Sequence, residues 1–394
     1  MSFIEDRSQA SDIEKMRLKV KAKNKGLWSS HSVFFICSIV IALWGYALQL
    51  EANVTGNCSN CHTMHNSQNG MSVAVDRSMY GTPPYGNLLK DTCVGCHMAT
   101  NGATWKDPFT GAPIVFNTSA PQYGASSGGG PKQGLAGGNF YWVAAAGGND
   151  PTKGHNVWGI SGQDPNLADA PGAQNIHWGC ATPTCHQTLA TNPASTTSPP
   201  NDNRHKNGCE GCHLYVSHHT DSGCYRYLCS HGYPGDASHG IRGAGDPNWE
   251  SNPSSTTHNT YIAAAGQNLL SWGYGNISAF CAGCHWKFHT LDTDPNNGIG
   301  IGSPWFRHPT DVVMPASGEY SVYTIYNLIA PVGRPEGNFP ADPSQVRPGT
   351  DMATCISCHR VHGSPYFKMM RWDYKSSTLS TALSGCNECH TSKN

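Results

Sequence analysis

The longest hydrophobic segment of the chain is an apolar run of 18 residues at positions 33–50, which follows six basic residues between positions 15 and 25. A run of this length predicts one apolar helix, either a membrane anchor or the core of a signal peptide, with the basic flank on the cytoplasmic side. Both alternatives stay open. The sequence therefore divides into a cytoplasmic basic tail with the apolar helix, residues 1–52, and an exported domain, residues 53–394.

Hydrophobic periodicity is weak in the exported domain. Residues 319–332 are rich in β-branched and aromatic side chains and bounded by glycine and proline, which predicts a strand or a pair of strands. Residues 119–175 contain glycine runs and predict loops with short strands at most. The 44 glycines and 26 prolines point the same way. We expect a mostly irregular fold with short helices and few short strands.

Seven copies of one cysteine and histidine motif give this irregular chain its organisation. Along the chain they are motif 1 (Cys58, Cys61, His62), motif 2 (Cys93, Cys96, His97), motif 3 (Cys180, Cys185, His186), motif 4 (Cys209, Cys212, His213), motif 5 (Cys281, Cys284, His285), motif 6 (Cys355, Cys358, His359) and motif 7 (Cys386, Cys389, His390). Six have the spacing Cys-x-x-Cys-His, and motif 3 has four residues between its cysteines. Two thiols at this spacing add to the two vinyl groups of one haem, and the next histidine becomes an axial ligand of the iron. The sequence predicts seven haem c groups.

Zinc and disulfides are the alternative uses of so many cysteines. Zinc sites also use Cys-x-x-Cys pairs, but they give no reason for a histidine directly after every second cysteine, and neither do disulfides. Of the 17 cysteines, three lie outside the motifs. Cys37 belongs to the apolar run. For Cys224 and Cys229 we expect a local disulfide, with a variant haem site as the alternative.

Length and charge limit the remaining possibilities. Seven haems in 394 residues leave about 56 residues each (394 divided by 7), so the macrocycles must supply much of the apolar interior. Charged residues are 13% of the chain and the net charge is −1. The sequence has no basic character that would predict nucleic-acid binding. A sparsely charged surface favours packing against copies of the same chain or against another cytochrome.

Each iron needs a second axial ligand, and the chain has histidines to spare. Twelve histidines lie outside the motifs and the N-terminal segment: His65, His155, His177, His205, His218, His219, His231, His239, His258, His289, His308 and His362. His65 and His362 each follow a motif histidine by three residues. On a helical turn both side chains share a face, so the second histidine should bind a neighbouring haem. We therefore expect two histidines at every iron.

The sequence around these histidines resembles a known family. The segments Cys-His-Thr-Met-His65-Asn-Ser and Cys-His-Arg-Val-His362-Gly-Ser look like a duplicated two-motif unit. Together with Lys-Gly-His155, His218-His219 and Thr-His258-Asn, they resemble the doubled-CXXCH multihaem c-type cytochromes, which are similar to cytochromes that polymerise into extracellular haem wires. The resemblance covers about residues 53–394. It implies low-spin haems in one continuous chain and favours as remaining distal ligands His155, His219, His239, His258 and His308.

The predicted function is electron transfer along seven haems with two histidine ligands each. One setting is an extracellular or surface conduit, with filament formation as an option. The alternative is a periplasmic relay anchored to the inner membrane by the N-terminal helix. Expected partners are copies of the chain, other cytochromes, a terminal electron acceptor or a quinol-linked donor. We expect no enzymatic activity. A reductase needs an open haem site, and a purely structural or adhesive role is a third class.

Overall fold

A computed structural model describes the domain that contains the motifs. The described residues are 56–68, 71–72, 88–124, 133–167, 170–172, 189–191, 207–213, 216–219, 224–229, 240–265, 275–285, 288, 308–337 and 340–392. The predicted N-terminal apolar helix and motif 3 lie outside these ranges. Among the described residues, no helix has both the length and the apolar character needed to cross a membrane.

Helices in the described part are short, and half of them coincide with the motifs. The α-helices are α1 (Cys93–Cys96), α2 (Ile277–Ala282), α3 (Cys355–Cys358), α4 (Leu379–Ala382) and α5 (Cys386–Cys389). The 3-10 helices are Cys58–Asn60, Phe140–Trp142, Ala145–Gly147, Gly208–Gly211, Tyr225–Tyr227, Gly318–Val322 and Phe367–Met369. Polar side chains begin several of them: Asn276 accepts a hydrogen bond from the Ser278 amide before α2, and Thr354 forms a capping box with Ser357 before α3.

The described strands are two or three residues long. They are β1 (Ser67–Gln68), β2 (Met71–Ser72), β3 (Met98–Ala99), β4 (Phe116–Asn117), β5 (Gly243–Ala244), β6 (Thr260–Ile262), β7 (Val312–Val313), β8 (Gly333–Arg334) and β9 (Met352–Ala353). β1 pairs antiparallel with β2, and β3 pairs parallel with β4. The other five form a mixed sheet in the order β5-β6-β8-β9-β7, in which only β6 and β8 are parallel.

Buried apolar side chains form three small clusters rather than one large core. The first contains Val94, Phe116, Phe140, Val143, Ala144 and Val157 and packs against Cys209 of motif 4. The second contains Met314, Tyr323, Tyr326, Val332 and Val346 and packs against Cys389 of motif 7. The third contains Ile241, Tyr261, Ile277 and Ile356, of which Ile277 and Ile356 come from the helices of motifs 5 and 6. Each cluster thus lies beside a motif, which fits a chain whose remaining interior comes from haem.

The strand predicted at residues 319–332 is wrong. Residues 318–322 form a 3-10 helix, and the following residues form a loop with a single bridge between Ile325 and Gln345. The hydroxyl of Tyr323 donates a hydrogen bond of 2.6 Å to the Ala330 carbonyl, which closes the loop. Two of the aromatic side chains that suggested a strand, Tyr323 and Tyr326, are buried in the second cluster instead, so packing rather than strand pairing explains them.

The predicted local disulfide between Cys224 and Cys229 is confirmed. Both cysteines are buried, and the bridge encloses the 3-10 turn Tyr225–Tyr227. Arg226 and Tyr227 in this turn have positive φ angles of 52° and 59°. Residues other than glycine rarely adopt such backbone angles. The bridge therefore encloses a turn whose backbone conformation is unfavourable by itself.

Candidate haem-binding site

Each of the six described motifs begins on one helical turn. In every one, the backbone amide of the histidine donates a hydrogen bond of 2.8–3.1 Å to the carbonyl of the first cysteine. Because residues three apart lie on one face of such a turn, both thiols point to the same side. The motif histidine follows at the C-terminal end of the turn. The local fold thus presents two thiols and one imidazole together, as covalent haem attachment requires.

Five motif histidines have a second histidine opposite them. The ring centres are 5.8 Å apart for His62 and His219, 6.2 Å for His97 and His218, 6.4 Å for His213 and His362, 6.0 Å for His285 and His155, and 6.0 Å for His390 and His308. Two imidazole nitrogens on opposite sides of one metal lie roughly 4 Å apart, because each metal–nitrogen bond is about 2 Å, and the ring centres lie further back. Separations near 6 Å therefore fit one iron between each pair.

Hydrogen bonds fix the ring nitrogen that does not face the iron. The Nδ1 atom lies within 3.2 Å of a backbone carbonyl in His97, His155, His213, His285, His308 and His359. His258 has the same kind of hydrogen bond but stacks on Tyr326. In His390 the partner is the carboxylate of Glu319, at 3.2 Å. A proton on Nδ1 leaves Nε2 with a free lone pair, which is the arrangement of a metal-binding histidine. The residues present thus fit haem iron.

Burial keeps these imidazoles neutral. It lowers the pKa of His97, His155 and His213, and it lowers the pKa of His285 to about 4 and that of His362 to about 3. A charged imidazole loses more hydration energy in a dry environment than a neutral one does. Neutral imidazole is the form that binds metal, so the environment selects the ligating state at pH 7.

The described motifs follow one another in space through their cysteines. The thiols of Cys93 and Cys209 hydrogen-bond to each other, and so do those of Cys281 and Cys355. These contacts join motif 2 to motif 4 and motif 5 to motif 6. With haem attached, each of these sulfurs would be a thioether.

Electrostatic proximity of thiols supplies the other links. Cys61 interacts electrostatically with Cys96, Cys212 with Cys281, and Cys358 with both cysteines of motif 7. The described motifs therefore form one continuous series, in the order 1, 2, 4, 5, 6 and 7. Motif 3 lies outside the described residues and has no place in this order.

The distal histidines only partly match the sequence prediction. His155, His219, His308 and His362 lie opposite motif histidines, and His362 faces motif 4 rather than its own motif 6. His239 lies outside the described residues, as do His177, His205, His231 and His289. His65 is exposed, and no described motif histidine lies opposite it.

Two histidines differ from the prediction most clearly. His258 stacks on Tyr326 with ring centres 3.5 Å apart and faces no motif histidine of the described part. His218, which was not among the favoured ligands, lies opposite His97 instead. The adjacent pair His218-His219 was the available signal, because neighbouring side chains point in different directions and can serve two irons.

The zinc alternative requires several donors in one place. In the described ranges, no group of three or more His, Cys, Asp or Glu side chains is arranged to hold a bare metal ion. A zinc site with four protein ligands is therefore not formed by these residues.

Comparison with known proteins gives one match to a C-terminal segment and one match to most of the chain. Residues 348–394, which contain motifs 6 and 7, match the family model described as the doubled CXXCH motif. The C-type cytochrome OmcS of Geobacter sulfurreducens is 23% identical over 407 residues, which cover 91% of this chain and 88% of that protein.

Two solved structures are also similar to the chain. They are the outer membrane cytochrome S filament and the OmcS nanowires, both from Geobacter sulfurreducens, each 18% identical over 87% of this chain and 100% of the other, with TM-scores of 0.44 and 0.46.

The repeated motifs, the paired histidines and the family match define the class of protein: the chain is a c-type cytochrome that binds several haems. Residues 348–394 resemble the cytochromes with doubled CXXCH motifs, and the motifs identify haem c as the cofactor.

Proposed function

We propose that the protein is an electron conduit in which seven haems, each with two histidine ligands, pass single electrons along the chain. The observation that carries this proposal is the continuous series of motifs 1, 2, 4, 5, 6 and 7, linked by neighbouring cysteines. Haems attached at these sulfurs would follow one another in this order. Haem supplies the one-electron chemistry, and the chain supplies the ligands, the spacing and the burial that set each potential.

Paired histidines favour a relay over catalysis. An iron with two protein ligands has no open position for a substrate. Five pairs of this kind support the proposal that the protein is not an enzyme. Motif 6 is the exception, because no described histidine lies opposite His359. That iron is either the open site of a multihaem reductase or the site of a ligand from elsewhere.

Exposed apolar side chains at both ends of the motif series support self-association. At the motif 1 end, Met64 is 79% exposed and Phe109 is 76% exposed, and the Phe109 carbonyl accepts a hydrogen bond from the Asn60 side chain. At the motif 7 end, Ile325 is 69% exposed and lies beside the 3-10 helix that packs on α5. We propose that these side chains belong to contact surfaces, because contiguous exposed apolar patches commonly mark contact sites. Joining these ends of successive copies would extend the haem series into a filament.

His65 offers a ligand for motif 6 across such a contact. It is exposed beside Met64, and the described residues place no motif histidine opposite it. We propose that His65 of one copy binds the motif 6 haem of the next copy, which would supply the second ligand that the described residues do not place opposite His359. This assembly implies an exported, extracellular protein that exchanges electrons with its own copies and with a terminal acceptor.

Two measurements test this function. The intact mass of the purified protein should show seven haems, and it also reports whether residues 1–52 are retained. Carbon monoxide binds only an iron with an open or weakly held position. The assembled protein should therefore show no carbon monoxide adduct, and negative-stain microscopy should show filaments.

The variant His65→Ala should bind one carbon monoxide per chain, whereas the control Met64→Ala should bind none. Carbon monoxide binding by the assembled wild type would favour the reductase. If His65→Ala binds none, the second ligand of motif 6 comes from within the same chain.

A further inference from the structure

His390 of motif 7 differs from the other described histidines in the partner of its Nδ1 atom. Seven histidines place this atom against a neutral backbone carbonyl, whereas His390 places it 3.2 Å from a carboxylate oxygen of Glu319. The contact is sheltered, since the side chains of His390 and Glu319 are 21% and 15% exposed. The hydrogen bond is therefore only weakly screened by water.

Glu319 is held in place from several sides. It lies in the 3-10 helix Gly318–Val322, which packs on α5 of motif 7. Its backbone carbonyl accepts a hydrogen bond of 2.9 Å from the Thr391 hydroxyl, and its second carboxylate oxygen accepts one from Ser392. The Tyr320 ring lies edge-on to His390, with ring centres 5.0 Å apart. The three residues His390, Thr391 and Ser392 thus all contact one glutamate, which fixes the carboxylate against the imidazole.

A carboxylate partner changes the imidazole as an iron ligand. By accepting the Nδ1–H hydrogen bond, an anionic oxygen draws the proton away from the ring and increases the electron density on Nε2. A more basic ligand stabilises ferric iron more than ferrous iron. A backbone carbonyl has the same effect to a smaller degree, because it carries no full charge.

We propose that Glu319 lowers the reduction potential of the motif 7 haem, making it the hardest to reduce of the five haems whose histidine pairs the structure shows. The inference rests on the proposed function in one respect, because it requires haem at Cys386 and Cys389. It adds a direction to the conduit: electrons that enter at motif 7 move energetically downhill into the chain.

The ligand rings give this haem a spectroscopic signature. The rings of His308 and His390 are inclined at 79°, whereas the other four pairs are inclined at 23–52°. When the two imidazole planes are nearly perpendicular, each interacts with a different iron d orbital. The two d orbitals then remain close in energy. The ferric low-spin signal then has a large g anisotropy in electron paramagnetic resonance. The motif 7 signal can therefore be followed separately in the intact protein.

Reductive titration of the wild-type protein, followed by electron paramagnetic resonance, is the first test. The signal with the large g anisotropy should disappear at a lower potential than the signals of the other four pairs. If it disappears first, the proposal is wrong.

The second test compares Glu319→Gln with a matched control, Glu388→Gln. Glu388 lies in motif 7, between its two cysteines, and its side chain bonds to Asn327 rather than to His390. Both variants remove one negative charge near the same haem. Glu319→Gln should shift the ferric-to-ferrous equilibrium of that haem by about tenfold, or about 59 mV upward for one electron, and should change its g values.

Glu388→Gln should give a smaller shift and unchanged g values. If the two variants gave the same potential shift and the same g values, the effect of Glu319 would come from its charge alone and not from its hydrogen bond to His390. That result would overturn the inference. Intact mass separates this outcome from a failure of the proposed function. A protein that lacks haem at motif 7 contradicts the haem count, whereas a haem that is present and unshifted contradicts only the role of Glu319.

Discussion

The rings of His213 and His362 face each other with their centres 6.4 Å apart, although His213 belongs to motif 4 and His362 follows motif 6. One segment of chain would thus serve two haems, with His359 as a ligand in its own motif and His362 as a ligand for the haem of motif 4. The backbone of the same segment also contributes, because the Val361 carbonyl bonds to Nδ1 of His155, the partner of motif 5. Neighbouring haems are therefore fixed relative to one another by residues a few positions apart.

Replacing His362 with methionine tests this cross-over directly. The haem of motif 4 should change from two histidine ligands to one histidine and one methionine, which raises its potential. The increase should be on the order of 100 mV, a fraction of the ~0.8 V range over which axial ligands set haem potentials. Spectropotentiometry of the variant measures this shift.

The control for this experiment is His258→Gln, which removes a histidine that stacks on Tyr326 and lies opposite no described motif histidine. Its visible spectrum and potentials should match those of the wild type. A His362→Met protein whose perturbed haem is that of motif 6 would refute the assignment.

The adjacent histidines His218 and His219 should have separable roles. His218 faces His97 of motif 2, and His219 faces His62 of motif 1. His218→Ala and His219→Ala should each create one high-spin haem that binds carbon monoxide, and the double variant should create two. Magnetic circular dichroism and carbon monoxide titration give the counts. A double variant with a single open haem would show that both residues serve one iron.

These pairs mark the limit of what the sequence predicts. The motif spacing fixes the two thiols and the proximal histidine within one helical turn, so the haem sites and the short helices followed from local rules. The position of His362 three residues after His359 also indicated a ligand for another haem. Both are local relationships, which sequence spacing describes well.

Distal ligands depend on how distant segments fold together, which spacing does not describe. His218 and His219 are equivalent in sequence, and only the folded chain shows that each has its own motif. The sequence around His258 resembles that of the doubled-CXXCH cytochromes, yet its ring packs on Tyr326. The strand prediction for residues 319–332 was wrong for a related reason, since Tyr323 and Tyr326 are buried by a loop rather than by a sheet. Burial alone does not reveal which backbone conformation produces it.

The Cys224–Cys229 disulfide should stabilise the haem site of motif 4. The bridge encloses Arg226, whose carbonyl accepts a hydrogen bond of 3.0 Å from Nδ1 of His213. Replacing both cysteines with alanine should reduce the free energy of unfolding by roughly 2 kcal/mol, because the closed loop is short. It should also broaden the ferric signal of the motif 4 haem, because the orientation of His213 is less fixed. Denaturant titration and electron paramagnetic resonance measure the two effects, and a signal as sharp as that of the wild type would contradict the proposed role of the turn.

His258 should make stability depend on pH in the acid range. Burial is the main cause that lowers its pKa from 6.5 to about 4. Between these two values the unfolded chain binds a proton at this histidine and the folded chain does not. Stability therefore rises with pH across this window, and it is lost as the pH falls from 6.5 towards 4.

The variant His258→Gln removes this titration, so its stability should decline less than that of the wild type over the same window. Other buried histidines give both proteins a common slope, and the difference between the two proteins isolates the contribution of His258. Urea midpoints at intervals between pH 4 and pH 7 provide the comparison. Parallel curves would mean that His258 is accessible to protons in the folded protein, which is incompatible with an imidazole enclosed between Tyr326 and the Ser254 carbonyl.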